Sequence, residues 1–266
     1  MIPDFREITE AFNGRARTYS RTGWHKRCAE RLVELCLLRP GDRVLDAATG
    51  TGLAALAAAK IVGEQGCVLG VDISSGMLRE ARDAVNASGL SNVELLEADA
   101  VCMPHHAPET FDVVTCAAGL LYMPVAEALR EWRRVIKPGG LVAFSSMHTG
   151  SPPAGQMFRD CAAEFGLSLR DPCEPLGTDA ACLVVLADAG LKVAEIVSEA
   201  IEFSAQDLTV AWDSNFRSAG HSAVRALSVA DQGALKKAYI EALAREVEQN
   251  PARLARADVR YVLGRR

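Results

Sequence analysis

Three acids, each closing an apolar run, are the residues of this chain best placed to do chemistry. Asp46 ends R-V-L-D, Asp72 ends C-V-L-G-V-D and Asp99 ends V-E-L-L-E-A-D. Behind the first acid comes Ala47-Ala48-Thr49-Gly50-Thr51-Gly52, a glycine-rich turn that opens an alanine-rich stretch from Leu53 to Ile61. A strand, a glycine turn and a helix start make a cradle. Glycine lets the backbone approach a ligand closely, and the N–H groups at the start of the helix favour polar or anionic groups. Gly50, Gly52 and Ala55 also satisfy the G-x-G-x-x-A spacing of dinucleotide-binding folds. Asp46, however, stands immediately before the turn, close to where a dinucleotide's pyrophosphate would lie. An anion there disfavours a phosphate and favours a cationic group such as an ammonium.

The elements that must hold these acids alternate. Strands are expected over 43–47, 67–72, 93–97, 111–116 and 141–147, with helices over 53–62, 75–88 and 124–136. Strands alternating with helices imply a parallel sheet covered on both faces. The clearest helix is 124–136, where Val125, Ala128, Leu129, Trp132, Val135 and Ile136 form one apolar stripe, which puts Trp132 in the core. Upstream, Ile2, Phe5, Ile8 and Phe12 follow a rough helical period, Asn13-Gly14 is expected to break it, and a second helix should run from Trp24 to Leu38 before Pro40-Gly41. Downstream, 148–177 reads as a Pro/Gly-rich connection around a short helix. Thr178 to Ala189 follows as a helix, Leu191 to Phe203 as a strand, 206–250 as helical again, and A-D-V-R-Y-V-L as a final strand.

Composition narrows the function classes. At 266 residues, 49% hydrophobic and 24% charged, the chain can bury a substantial core. Its net charge of −5, without a basic cluster, argues against a nucleic-acid partner. The uncharged run 113–126 is far below the ~20 apolar residues of a membrane span, so no membrane insertion is expected. Eight scattered cysteines without a C-x-x-C pair, and an N-terminus without a signal-peptide pattern, point to a cytoplasmic protein. The histidines and cysteines show no metal-ligand spacing, so no metal is expected.

The glycine turn, the acids Asp72 and Asp99, the strand F-D-V-V-T-C and the later I-K-P-G-G occur in a fixed order. In this the chain resembles the class I S-adenosylmethionine-dependent methyltransferases, specifically the ubiquinone/menaquinone-biosynthesis type and small-molecule methyltransferases of bacterial secondary metabolism. The resemblance runs from about Phe12 to Met147. It implies a Rossmann-like α/β fold: a seven-stranded, mostly parallel sheet with helices on both faces and the last two strands paired antiparallel. It also implies one methyltransferase domain over 1–266. In this reading 1–39 forms an N-terminal helical lid, 40–203 and 255–266 the cofactor-binding core, and 204–254 an inserted helical cap before the last strand.

The implied cofactor is S-adenosyl-L-methionine, and the chain offers a partner for each of its parts. Asp72 suits the ribose hydroxyls. Asp99 and the Ala100 N–H suit the adenine edge, with Ile73 and Met77 over its faces. Asp46 and the backbone near Cys116 and Ala117 suit the ammonium, and the turn Thr49, Gly50, Thr51 and Gly52 the carboxylate. Ala48 replaces the glycine of the strictest form of the motif, a replacement common in the ubiquinone/menaquinone-type variant. Each of these residues also has a structural reading: Asp46 and Asp72 as helix caps, Ile73 and Met77 as core, Asp99 as a solvated loop acid.

Methyl transfer is an in-line displacement at a cationic methyl, so a base is needed only where the nucleophile must lose a proton. The candidates are His148, just beyond the strand ending at Met147, then His25 in the lid and His221 in the cap, with Tyr19 and Tyr122 to orient a substrate. Tyr19, Trp24 and His25 could equally belong to a packed helix pair, and a lone histidine to a polar surface. Leu120, Leu121, Tyr122, Met123, Met147, Met157, Phe158, Trp212 and Phe216 are expected to line a site for a hydrophobic small molecule: prenylated, polyketide-like or aromatic. A non-methylating cyclase on the same fold, and a protein or RNA methyltransferase, are the alternatives. A homo-oligomer is left open.

Overall fold

The computed structural model describes residues 4–19 and 23–266, with the side chains of 205 and 206 set aside. Seven strands form one sheet: β1 (Arg43–Ala47), β2 (Cys67–Asp72), β3 (Val93–Glu97), β4 (Phe111–Cys116), β5 (Ile136–Met147), β6 (Lys192–Glu202) and β7 (Arg256–Arg265). Their order is β3-β2-β1-β4-β5-β7-β6. The first five strands in that order pair parallel, and β7 runs antiparallel between β5 and β6. This is the mixed, mostly parallel sheet that the resemblance implies. The parallel strands are apolar on both faces because helices cover both. On one side α2 (Gly23–Leu35) and α3 (Leu53–Val62) pack on β1, β2 and β7 through Leu32, Ala55, Ala58 and Tyr261. On the other, α5 (Val125–Val135) and α7 (Asp179–Asp188) pack through Leu129, Trp132, Cys182 and Leu186.

The sheet order reverses between β1 and β4, where the crossover from β1 goes outward to β2 and the chain later returns to β4. At such a switch point the loops at the carboxyl ends of the two strands part and leave a crevice. Asp46 and Cys116 stand at those ends.

One expectation about the helices needs correction. α1 (Phe5–Tyr19) runs unbroken through Asn13-Gly14. The Asn13 side chain does not stop α1. Its Oδ1 accepts from Ser74 Oγ and Gly76 N, both at 2.8 Å, and so satisfies an N–H group at the start of α4 (Ser75–Ser88). The contact requires glycine: a Cβ on Gly76 would lie 2.8 Å from that same oxygen. Ile2, the first member of the apolar period, lies outside the described residues.

The segment between β6 and β7 is helical, as expected. It breaks into α8 (Ala205–Thr209), α9 (Ala211–Phe216) and α10 (Ser222–Arg225) before the long α11 (Val229–Gln249) and the short α12 (Pro251–Leu254). These helices close on α6 (Pro153–Glu164) around a separate core of Phe158, Trp212, Leu235 and Tyr239. β5 begins earlier than expected, at Ile136, and carries I-K-P-G-G within it. Among the described residues no helix is long and apolar enough to cross a membrane.

Candidate active site

β1 delivers Asp46 to the crevice, almost fully buried. Thr49 Oγ1 donates to one of its oxygens at 2.7 Å and Thr115 Oγ1, on β4, to the other at 2.8 Å. Burial pushes the carboxyl up to about 6, and the two threonine bonds oppose the shift. β2 delivers Asp72 in the same way. Its Oδ2 accepts from Gly50 N and its Oδ1 from Ser74 N, each at 2.8 Å, so this carboxylate also fixes the glycine turn. Burial raises its pKa, against the bonds from Ser74 and Gly50. Asp99 Oδ1 accepts from Val101 N at 2.9 Å. The neighbouring Ala100 is held from below, where buried Trp132 donates Nε1–H to the Ala100 carbonyl at 2.9 Å. Trp132 is core, as its stripe indicates, and it also positions this loop.

Three cavities meet here. One, of about 150 Å³, is lined by Ala48, Gly50, Asp72, Ile73, Met77, Asp99, Ala100 and Ala117, and is covered by Phe5, Ile8 and Phe12 of α1. A small one, of about 30 Å³, is bounded by Asp46, Ala48, Thr49, Gly50, Thr51 and Ala117 on one side and by Tyr19, Trp24 and His25 on the other. The third, of about 200 Å³, opens between the sheet and the α6–α11 region, with Arg15, Leu121, Met147, Arg159 and His221 among its walls. Tyr19 and Ala118 line all three, and Phe12 and Tyr122 line both larger cavities. The rings of Phe12 and Tyr122 meet edge-on at 5.1 Å, and that of Tyr19 lies 6.3 Å from Phe12. An aromatic partition therefore separates the two larger spaces.

Of the residues expected to hold a cofactor, eleven border the first two cavities. Gly52 and Cys116 line none of the three. Cys116 is buried beneath Gly119, and Gly52 caps α3. Of the candidate catalytic residues, Tyr19 and His25 sit at the junction, their rings 4.0 Å apart, with Trp24 stacked on His25 at 3.7 Å. Burial and the nearby Arg15 hold His25 down to about 3, and burial raises the Tyr19 phenol above its usual range.

His148 is placed elsewhere. Its N–H continues the β5–β7 ladder to the Asp258 carbonyl, its Nδ1 lies 3.3 Å from the Arg260 guanidinium, and it lines none of the three cavities. Lying past a strand end was not enough, because β7 pairs alongside and draws the ring to Arg260. The expected apolar lining is corrected too: Met157, Phe158, Trp212 and Phe216 belong to the α6–α11 core, and Leu120 to the sheet core. Leu121, Tyr122, Met123 and Met147 do line cavities. Arg15, Arg159 and Ser145 also line the largest of the three, and no motif marks them. Only the 3.6 period linking Phe12, Arg15 and Tyr19 on one face of α1 hinted at the first.

Residues 44–140, from β1 into β5, match the methyltransferase domain family. The chain belongs to the class I S-adenosylmethionine-dependent methyltransferases. Among curated members of that family it is 36% identical to the aklanonic acid methyltransferase DauC of Streptomyces sp. (strain C5), over 53% of this chain and 65% of that one. It is 42% identical to the ubiquinone/menaquinone biosynthesis C-methyltransferase UbiE of Teredinibacter turnerae, over 44% of this chain and 48% of that one. The match thus spans less than two thirds of either relative. Among solved structures, a SAM-dependent methyltransferase from Aquifex aeolicus superimposes with a TM-score of 0.52 at 26% identity, over 64% of this chain and 82% of that one. The [4+2]-cyclase SpnF does so at 0.58 and 21% identity, over 91% and 80%, a likeness of fold.

Proposed function

We propose that this protein transfers a methyl group from S-adenosyl-L-methionine to a hydrophobic small molecule. The observation that carries the reading is the junction at Tyr19 and Ala118, where a cavity with acids at its polar edge meets a second, largely apolar one. The donor set fits the cofactor. Asp72 would take the ribose hydroxyls and Asp99 with the Ala100 N–H the adenine edge, Ile73 and Met77 would cover the ring, Asp46 would face the ammonium, and the Thr49–Gly52 turn the carboxylate. Charged Asp46 is costly when buried alone, and an ammonium would relieve that cost. When bound, the cofactor supplies an electrophilic methyl carried on a sulfonium.

The chain's own part is positioning and exclusion of water. Phe5, Ile8 and Phe12 would seal the nucleoside side, which makes 1–39 the lid. The 204–254 insertion would roof the substrate side as a cap, over the core formed by 40–203 and 255–266. Tyr19 would orient the substrate at the partition. His25, held neutral beside it, is a poor proton acceptor and better suited to packing and hydrogen bonding.

The relatives are named for aklanonic acid and for ubiquinone and menaquinone biosynthesis, which supports a small-molecule acceptor. All eight cysteines are unpaired, in keeping with a reducing cytoplasm. The test is incubation with S-adenosylmethionine labelled in the methyl group and a metabolite extract. Label in an organic-soluble product supports the proposal. Label in protein or RNA contradicts it, and so does tight cofactor binding with no transfer across a broad acceptor panel.

A further inference from the structure

The substrate cavity is mostly apolar, yet it holds two guanidinium groups. Arg159 is 8% exposed and neutralised from within: Asp171 stands 3.3 Å away, and the Gln156 carbonyl oxygen accepts from it at 2.7 Å. Arg15 is different. Its guanidinium carbon lies 5.6 Å from the ring centres of both Phe12 and Tyr19, and the Tyr122 phenol stands near it. Among the described residues no carboxylate lies within ion-pairing distance of it. The acid on the cavity wall, Asp207, is taken up at the start of α8, where Ser204 donates both its N–H and its hydroxyl to Oδ2 at 2.7 Å. A cation with only aromatic faces and a phenol for company, at the rim of an apolar cavity, lacks its counter-charge.

We propose that Arg15 binds an acidic oxygen of the substrate, anionic at neutral pH, and that the enzyme therefore selects hydrophobic acids over their neutral analogues. This rests on the functional reading above. The chemistry recognised is an oxyanion, either a carboxylate or an acidic phenolate, set on an apolar body that fills the remaining walls. A planar guanidinium suits such a group because it offers paired N–H donors. Tyr19 and Tyr122, whose phenols burial keeps protonated, stand beside Arg15 as further donors. The site is on α1, so an acid bound at Arg15 would also draw the helix that covers the nucleoside cavity toward the substrate.

The test uses the full chain saturated with S-adenosylhomocysteine and titrated calorimetrically with three probes: anthraquinone-2-carboxylate, the matching carboxamide and an acidic nitrophenol. Binding of S-adenosylhomocysteine alone is measured first, and its absence overturns the functional reading itself. With that binding established, at least a tenfold preference for carboxylate over carboxamide is expected. Arg15→Gln should abolish the preference and Arg15→Lys restore part of it, with unchanged S-adenosylhomocysteine affinity showing that both variants are folded. Comparison of carboxylate with nitrophenolate distinguishes the two sources of the oxyanion. Equal affinity for acid and amide, binding of neither, or a preference that survives Arg15→Gln overturns the proposal.

Discussion

A Cβ placed on Gly119 would stand 2.6 Å from the Cβ of Ala48 and 2.9 Å from Cys116 Sγ. Ala48 is the residue that replaces glycine in the cofactor motif, and it sits at φ 54°, in the left-handed region. Its methyl is accommodated because the facing position on the loop after β4 has no side chain. The two positions therefore form a pair, and the departure from the strictest motif is matched across the crevice.

That pairing gives the first prediction. Gly119→Ala should destabilise the fold by about 1–3 kcal/mol through overpacking. In an Ala48→Gly background the cost should fall, leaving only the Cys116 contact. A double-mutant cycle read by urea unfolding measures the coupling, and additive effects would show that the two do not meet.

Asn13 is the polar tie between α1 and the core. Asn13→Ala removes the acceptor of Ser74 Oγ and Gly76 N and should cost about 1–2 kcal/mol. Because α1 lines the cavity that holds Asp72 and Asp99, the proposed function predicts that the same variant speeds dissociation of S-adenosylhomocysteine. Stopped-flow tryptophan fluorescence would follow it, and an unchanged off-rate would mean that α1 is not the cover.

The pH dependence follows from Asp46, whose carboxyl is pushed up to about 6. Below that value it is neutral and cannot hold an ammonium. S-adenosylmethionine affinity should thus be full above about 6 and fall below it by up to tenfold per pH unit. The sign reverses for the ligand-free fold. A carboxyl raised in the folded state favours folding at low pH, and this contribution is lost as pH rises from about 4 to about 6. Calorimetry at pH 5 and 7.5 on the wild type and Asp46→Asn checks both, since the variant should bind weakly at either pH with little difference between them.

His148 provides a control. Its ring lies against Arg260 and outside the three cavities. His148→Gln should therefore leave kcat within about twofold while shifting the unfolding midpoint, because effects away from the reacting atoms act through stability. A hundredfold loss of kcat in a folded variant would restore it as a candidate base.

The sheet was legible because the parallel strands are short apolar runs ending in acids, and because Asp46, Asp72 and Asp99 fall where loops must leave a sheet. The expected residues that border the two cavities beside the glycine turn could be read for the same reason: each lies at or just past the end of a strand. Asn13-Gly14 misled because a residue that stops helices locally was used for a tertiary bond to the start of α4, 61 residues away for Ser74. His148 misled because its surroundings are set by β7, more than a hundred residues downstream. Arg15 was invisible because its meaning lies in the rings and the unpaired space around it, which sequence spacing does not carry. The apolar residues from Met157 to Phe216 read as a binding surface because apolar residues lining a cavity and apolar residues filling a core look the same in a sequence.

The proposed function places S-adenosylmethionine in the crevice after β1 and β2, with Asp72 on its ribose. The most direct measurement is calorimetric titration of the wild type and Asp72→Ala with S-adenosylmethionine, with circular dichroism confirming that both are folded. One site per chain at micromolar affinity is expected, weakened at least a hundredfold in the variant, which loses the ribose acceptor and the bonds to Gly50 and Ser74 together. No binding by the wild type would rule out this crevice as the cofactor site, and equal binding by both would rule out Asp72 as the ribose acceptor.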